Sequence, residues 1–297
     1  MDQSHEEAIV NGVRLHYVEA GEGPLVVLLH GFPEHWYSWR EQLPALVEAG
    51  YRVVAPDMRG YNRSEKPPGV SAYRIGQLVE DVRALIEGCG AEHAHLVGHD
   101  WGGMVAWEVA VRHPESVERL VVMNAPHPSA YRRELQDPDS DQRRRSSYVL
   151  FFQLPWLPEL LFRAGGRRLL RRLFREGAEN PEAFDDEAIR RYERACSRPG
   201  AMTAMLNYYR AAFRGTVRSA IPGCSAPTAT ASDGLIDRPT LLLWGMEDEA
   251  LSPRLTEGLE EWVSEVEVER IDDASHWVQM DAPDRVNDAL IGFLSRD

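Results

Sequence analysis

The sequence predicts an α/β protein, a mostly parallel sheet flanked by helices and interrupted once by a helical insertion. Two observations carry this reading. Short apolar runs alternate with helix-length segments in both outer parts of the chain, the rhythm of strand–helix–strand units in a parallel sheet. The middle, from Pro126 to Pro239, loses that rhythm and turns rich in arginine and helix formers.

Each element has its own signal. Ala8 to Ala20 reads as a hairpin about Asn11-Gly12, a dipeptide suited to a tight two-residue turn. Leu25 to Leu29 is apolar throughout, as a strand covered on both faces should be. A helix over Trp39 to Ala49 ends at Gly50, and a strand over Tyr51 to Ala55 follows. Next come a helix over Ile75 to Gly88, a strand at Ala94 to Val97, a helix from Gly102 to Arg112 and a strand at Leu120 to Met123. The insertion has loop-like pieces at Gln136 to Asp141 and Pro222 to Gly234. Strands resume at Pro239 to Gly245 and Val266 to Ile271, and a helix closes over Pro283 to Leu294. The expected division is a core of residues 1–125 and 239–297 with a cap of 126–238. Ligands of open α/β sheets bind beyond the carboxyl ends of the strands, so the cap is expected to roof the site.

At 297 residues and 43% hydrophobic content, the chain can bury a sizeable core. Its formal charge of −14 argues against nucleic acid or an acidic membrane as a partner. Met1 to Glu7 is polar and acidic, and no apolar run approaches the roughly 20 residues that span a bilayer. The expected location is the cytoplasm, where Cys89, Cys196 and Cys224, without CxxC spacing, read as free thiols. The ten histidines lack ligand spacing, so no metal is expected. Arg163 to Arg175 reads as the solvated face of a helix with leucines packed inward, in preference to a membrane-surface helix.

The most informative stretch is Leu96 to Gly103, LVGHDWGG. It has the form G-x-nucleophile-x-G at a strand-to-helix turn, where Gly98 and Gly102 let the turn close and lift the central side chain. That central residue is Asp100, where a serine would signal acyl transfer. A carboxylate attacking an acyl group gives an anhydride; attacking a saturated carbon with a leaving group gives an ester that water can cleave. Alone, the pattern also fits an aspartate capping a helix. Two later strand ends supply the rest: Asp248 after Trp244-Gly245-Met246-Glu247, and His276 within Asp273 to Trp277. Nucleophile, acid, histidine is the chain order expected when all three meet over one sheet edge. Asp248 would orient His276, and His276 would take a proton from the attacking water. Glu247 and Glu249 flank Asp248 and leave the choice of acid open. The expected oxyanion donors are the backbone N–H groups of Phe32, in the loop after Leu29, and Trp101, at a helix start. His30 and His99 read as structural.

Together, HGFPE at His30 to Glu34, DMRGYNRS at Asp57 to Ser64, GHDWGG at Gly98 to Gly103, Asp248, and SHW at Ser275 to Trp277 resemble the α/β-hydrolase superfamily, specifically its epoxide hydrolases. The resemblance runs from about Val13 to Phe293. It implies the α/β-hydrolase fold with a helical cap, and hydrolysis of epoxides to vicinal diols through an alkyl ester on Asp100, with no cofactor. An opening epoxide yields an alkoxide, which a phenol of pKa about 10 can protonate. Epoxide hydrolases carry two such tyrosines on the cap; the matching positions are Tyr148 in YVLFFQLP and Tyr209 in LNYYR, with Tyr208 the spare. Trp36, Phe151, Phe152, Trp156 and Trp277 suggest a small apolar epoxide as the partner, with water; a homodimer stays open. Asn62 and Ser275 stand where the family often has glycine; asparagine tolerates positive φ. Haloalkane dehalogenases, the alternative, share the aspartate and Trp101 but usually have asparagine where Phe32 sits. Fluoroacetate dehalogenases prefer arginines where this chain has Trp101 and Gly102. Asn124 occupies the other position at which some superfamily members seat the acid, and it is no carboxylate.

Overall fold

A computed structural model describes residues 2–219 and 234–296. Its strands are β1 (Gln3–Val10), β2 (Val13–Ala20), β3 (Leu25–Leu29), β4 (Arg52–Pro56), β5 (Ala94–His99), β6 (Val117–Met123), β7 (Thr240–Gly245) and β8 (Val266–Ile271). They form one sheet in the order β1-β2-β4-β3-β5-β6-β7-β8. Strand β2 runs antiparallel to both neighbours, and every pairing from β4 to β8 is parallel. β3, β5 and β7 are buried end to end, which explains the apolar or small-residue runs of β3 and β7; β5 also buries His95 and His99. At the edge, β1 is mostly exposed and carries Glu6 and Glu7, charges that discourage pairing with another chain. Asn11 (φ 46°) and Gly12 (φ 74°) form the two-residue turn of the opening hairpin.

Helices α1 (Gln42–Glu48), α2 (Ile75–Gly88) and α3 (Trp101–Arg112) lie between the early strands. α2 and α3 pack on one face of the sheet. α1 packs on the other with α11, the last helix (Pro283–Leu294). The expected helix over Trp39 to Ala49 is instead a 3-10 turn, Trp36–Trp39, followed by α1. Pro44 explains the break: it has no N–H and suits the first turn of a helix but not its interior.

The segment between β6 and β7 is helical: α4 (Pro128–Gln136), α5 (Gln142–Arg145), α6 (Tyr148–Phe152), α7 (Leu157–Glu176), α8 (Asp186–Cys196) and α9 (Ala201–Ser219). α4 stays on the sheet side, where His127 stacks on Trp262 (5.2 Å) and Arg133 donates to the Glu257 carbonyl (2.8 Å). In α7, which bends at Gly166, Leu170 and Phe174 turn inward. Its arginines reach outward: Arg167 pairs with Glu193, Arg171 and Arg175 with Asp186, and Arg172 with Glu176. This is the solvated face anticipated from the sequence. Phe174, Phe184 and Tyr192 join Trp277 and Met280 in a separate apolar cluster between the insertion and α10 (Val278–Asp281). Tyr208 on α9 donates to the Arg59 carbonyl (2.6 Å), and Arg198 to the Asn62 side chain (3.0 Å), so α9 rests on the loop after β4. Cys89 and Cys196 are free thiols; Cys224 and most of Pro222 to Gly234 lie outside the described residues. Among the described residues no helix is long and apolar enough to cross a membrane.

Candidate active site

Strand β5 passes into α3 through Asp100, which has φ 49° and ψ −119°. A side-chain-bearing residue adopts that backbone only where its surroundings enforce it. The neighbouring glycines show how tight they are. A Cβ on Gly102 would lie 2.0 Å from the Leu29 carbonyl oxygen, and one on Gly98 would lie 2.5 Å from the Gly102 oxygen. A Cβ on Gly31 would lie 2.5 Å from the Asp100 Cβ. The turn therefore fixes where the carboxylate points.

Asp100, Asp248 and His276 come together at the carboxyl ends of β5, β7 and β8. His276 Nδ1 meets Asp248 Oδ2 at 2.7 Å, and His276 Nε2 lies 3.6 Å from Asp100 Oδ2. The other Asp100 oxygen, Oδ1, accepts the Phe32 N–H at 2.8 Å, and the Trp101 backbone beside the carboxylate helps hold its pKa down. Asp248 Oδ1 accepts the N–H groups of Ala250 (2.8 Å) and Leu251 (2.9 Å), while Oδ2 also accepts from Asn124 (2.8 Å). Its flanking candidates, Glu247 and Glu249, make no such contact with His276 in the described hydrogen bonds.

Burial pushes the Asp100 and Asp248 carboxyls up, but His276 and their N–H partners outweigh it and hold both below the ordinary value. Burial pulls the His276 imidazole down; Asp248 and Asp100 outweigh that and raise it well above the ordinary value. The resting site is thus two carboxylates sharing one imidazolium.

Two residues missing from the expected set fix this geometry. Asn124 (φ 37°) takes the Gly245 N–H at 2.8 Å on its oxygen while its amide reaches Asp248, so it sets the end of β7 and the acid at once. Glu34, fully buried, meets His99 Nδ1 at 2.9 Å, and His99 Nε2 donates to the His276 carbonyl at 2.8 Å. His99 is structural, as expected, and it holds the histidine loop. His30 likewise bonds within its surroundings: Nδ1 donates to the Gly31 carbonyl (2.9 Å) and Nε2 accepts the Met58 N–H (3.0 Å). Glu34 sits visibly in HGFPE, but neither its partner nor that of Asn124 could be read from chain order.

Above Asp100 lies an aromatic enclosure. The Tyr209 ring stands 5.1 Å from Trp101, 5.3 Å from Phe32, 4.9 Å from Phe152 and 6.0 Å from Tyr148. Tyr148 also packs on Phe152 (5.5 Å), and Phe162, which no sequence motif marked, closes on Phe32 (5.9 Å). Burial first, then the Asp100 charge, raises both the Tyr148 and Tyr209 phenols well above their ordinary value, so both stay protonated at neutral pH. The two side chains lie within hydrogen-bonding reach of each other. Tyr208 is committed to the Arg59 carbonyl and is not available to a ligand.

The five aromatic side chains expected near the substrate divide. Phe152 belongs to the enclosure; Phe151 touches it only through Phe152 (6.0 Å) and is half-buried. Trp277 stands 5.5 Å from His276 but packs mainly with Phe174 and Phe184 in the insertion's own cluster. Trp36 is not at the site, which corrects the expectation. The chain turns down after Glu34, and Trp36 enters the apolar cluster on the α1 and α11 face beside His5 (5.4 Å), its backbone N–H donating to the Asp57 carboxylate. Trp156 is 79% exposed, so it lines no enclosed pocket. Among the described residues no group of three His, Cys, Asp or Glu side chains could hold a metal ion.

Comparison with known proteins agrees with this architecture. The α/β-hydrolase fold family matches residues 24–283. A Bacillus subtilis protein described as "AB hydrolase superfamily protein YfhM" is 41% identical over 96% of this chain and 95% of its own. "Epoxide hydrolase 2" of Caenorhabditis elegans is 37% identical over 99% of this chain and 81% of its own. Among solved structures, an epoxide hydrolase from Bacillus megaterium superposes with a TM-score of 0.86 at 33% identity, covering 98% of this chain and 100% of that one. The elbow at Asp100, the sheet order and these likenesses agree: the chain is a hydrolase that belongs to the α/β-hydrolase family, in its epoxide hydrolase group.

Proposed function

We propose that this enzyme opens small apolar epoxides to vicinal diols through an ester on Asp100. The observation that carries the reading is the placement of two protonated phenols, Tyr148 and Tyr209, in the enclosure above a carboxylate whose backbone donors are already in place. Asp100 Oδ1 is engaged by the Phe32 N–H, so Oδ2 is the attacking oxygen. It bonds to an oxirane carbon while the C–O bond breaks, and a phenol transfers its proton to the departing alkoxide.

Ester formation removes the Asp100 charge. That charge helps raise both the phenols and His276, so its loss eases proton transfer from the phenol and lets His276 give up its own proton, which passes through solvent to the phenolate and restores the phenol. Neutral His276, oriented by Asp248, then takes a proton from water as the water attacks the ester carbonyl. The Phe32 and Trp101 N–H groups hold the tetrahedral oxyanion, and its collapse breaks the bond to the alkyl oxygen, which takes the proton His276 gained from water and leaves as the diol. One carboxylate oxygen of Asp100 is now the oxygen of that water.

Residues 126–238 act as the cap in this scheme, and the two free cysteines fit a cytoplasmic enzyme. A single turnover in heavy-oxygen water tests the ester. The first diol should carry unlabelled oxygen drawn from Asp100; full label in that turnover excludes the intermediate. Haloalkane cleavage that survives loss of both phenols would favour the dehalogenase alternative, since a departing halide needs no proton.

A further inference from the structure

The two phenols sit on elements of very different strength. Tyr209 belongs to the 19-residue α9, whereas Tyr148 opens α6, which has five residues. A helix of little more than one turn does not hold itself in water. Its position has to come from elsewhere. Near its start, the buried Gln142 side chain donates to Ser146 Oγ (2.9 Å) and the Ala250 carbonyl (2.9 Å) and accepts the Ser252 N–H (2.8 Å). At its far end stands Arg210, 6% exposed, one residue beyond Tyr209. Its Nε donates to the Phe152 carbonyl (2.9 Å) and Nη2 to the Leu154 carbonyl (3.0 Å). Nη1 and Nη2 also engage both oxygens of Glu159, at 2.6 and 3.1 Å. The Phe152 carbonyl ends α6, where carbonyl groups lose their helical partners, Leu154 lies two residues beyond, and Glu159 is in the first turn of α7.

We propose that Arg210 is a positioning residue for ring opening: by fastening the end of α6 and the start of α7 to α9, it sets the spacing of Tyr148 from Tyr209 above Asp100. The inference rests on the proposed role of the two phenols. Only a planar fork makes these four bonds from one side chain; a lysine ammonium is a point donor and cannot replace it. Losing the fork lets Tyr148 drift while Tyr209, on its own long helix, stays. A displacement near 1 Å at a reacting centre can cost about a hundredfold in rate.

A double-mutant cycle on the single-turnover rate of ester formation, followed by quenching and mass spectrometry, tests it. Arg210→Lys should slow ester formation about tenfold or more and leave hydrolysis of the formed ester unchanged. The loss should persist in a Tyr209→Phe background and vanish in a Tyr148→Phe background. An unchanged rate, or an equal loss in the Tyr148→Phe background, overturns the inference. Should Arg210→Lys not fold, Glu159→Gln, which keeps the carbonyl bonds, is read in the same cycle. It should show a loss of about threefold with the same dependence on Tyr148, and a loss indifferent to Tyr148 overturns the inference. Tyr148→Phe forming ester at wild-type speed removes the phenol reading itself. A slow Tyr148→Phe beside a normal Arg210→Lys removes only the positioning role.

Discussion

The sheet edge and the roof above it hold their functional groups by different means. At the edge, Asp100 is fixed by backbone: a strained turn, glycines packed against carbonyl oxygens, and the Phe32 N–H on its carboxylate. In the roof, Tyr148 and Tyr209 are fixed by side chains: rings of Phe32, Phe152 and Trp101, and the Arg210 fork. Backbone geometry tolerates almost no variation in its own residues. A side-chain enclosure can be built from many combinations of rings. The edge is therefore suited to chemistry common to a whole family, and the roof to chemistry that differs between its branches.

The comparison breaks most directly at Asp100. Asp100→Ala should abolish diol formation, with a fall of about 10⁴-fold or more, because nothing else near the turn can form the ester. The fold should remain, as the glycines keep the turn. Residual turnover above that level would show that water can attack the epoxide directly and that the elbow is not the seat of the reaction.

His276→Gln separates the two steps. In the proposed reaction, ester formation requires the Asp100 charge and the phenols, whereas hydrolysis requires a base. The variant should form ester in one near-stoichiometric burst and then stall, with steady-state turnover down about a thousandfold. Intact-protein mass spectrometry should show the substrate's mass added to the chain. Absence of that adduct, with ester formation as slow as turnover, would make His276 part of the first step.

Legibility in the sequence follows the same division. The elbow could be read because a strained turn needs glycines at fixed offsets from its centre, so Gly98, Asp100 and Gly102 form a local pattern. β3 could be read because burial on both faces demands an unbroken apolar run, and the bounds of β3, α2, β8 and α11 match those expected. The acid was less legible: Glu247, Asp248 and Glu249 are equivalent by composition, and the choice depends on Asn124 and on two N–H groups after the acid. Trp36 misled because an aromatic residue after HGFPE can turn either up to the roof or down to the core. Nothing local marks Phe162, and LNYYR contains Arg210 without disclosing what it bonds, because the partners of both lie elsewhere along the chain. Contacts between short cap helices have no fixed sequence offset, so a single sequence does not disclose them.

The roof should yield a smaller and more selective effect than the edge. Tyr148→Phe and Tyr209→Phe should each slow ester formation about ten- to a hundredfold because the other phenol remains, and the double variant about 10²- to 10⁴-fold, the usual span of general acid catalysis. Hydrolysis of an ester already formed should be unaffected. Equal losses in both steps would mean that the phenols only support packing.

The smallest effect is electrostatic, and it separates the regions by pH. The folded pKa of His276 lies above its unfolded value of about 6.5. Its pairing with Asp248 and Asp100 therefore stabilises the fold in full below about pH 6.5, and that contribution fades as pH rises through the folded value. The two carboxylates have depressed folded values, so their contribution persists above about pH 4 and is lost only in stronger acid. The phenols are raised above about 10, so they are uncharged in both folded and unfolded chains through neutral pH. Thermal unfolding between about pH 5 and 9 should then show the gap between the wild type and His276→Gln narrowing by a few degrees as pH rises, roughly the span of 1 kcal/mol in a domain this size. The gap between the wild type and the double phenylalanine variant should stay level across the same range. A His276→Gln gap that widens with pH would mean that burial, not the two carboxylates, governs the imidazole. The edge would then start its cycle with a neutral base, and loss of the Asp100 charge would no longer be what releases it.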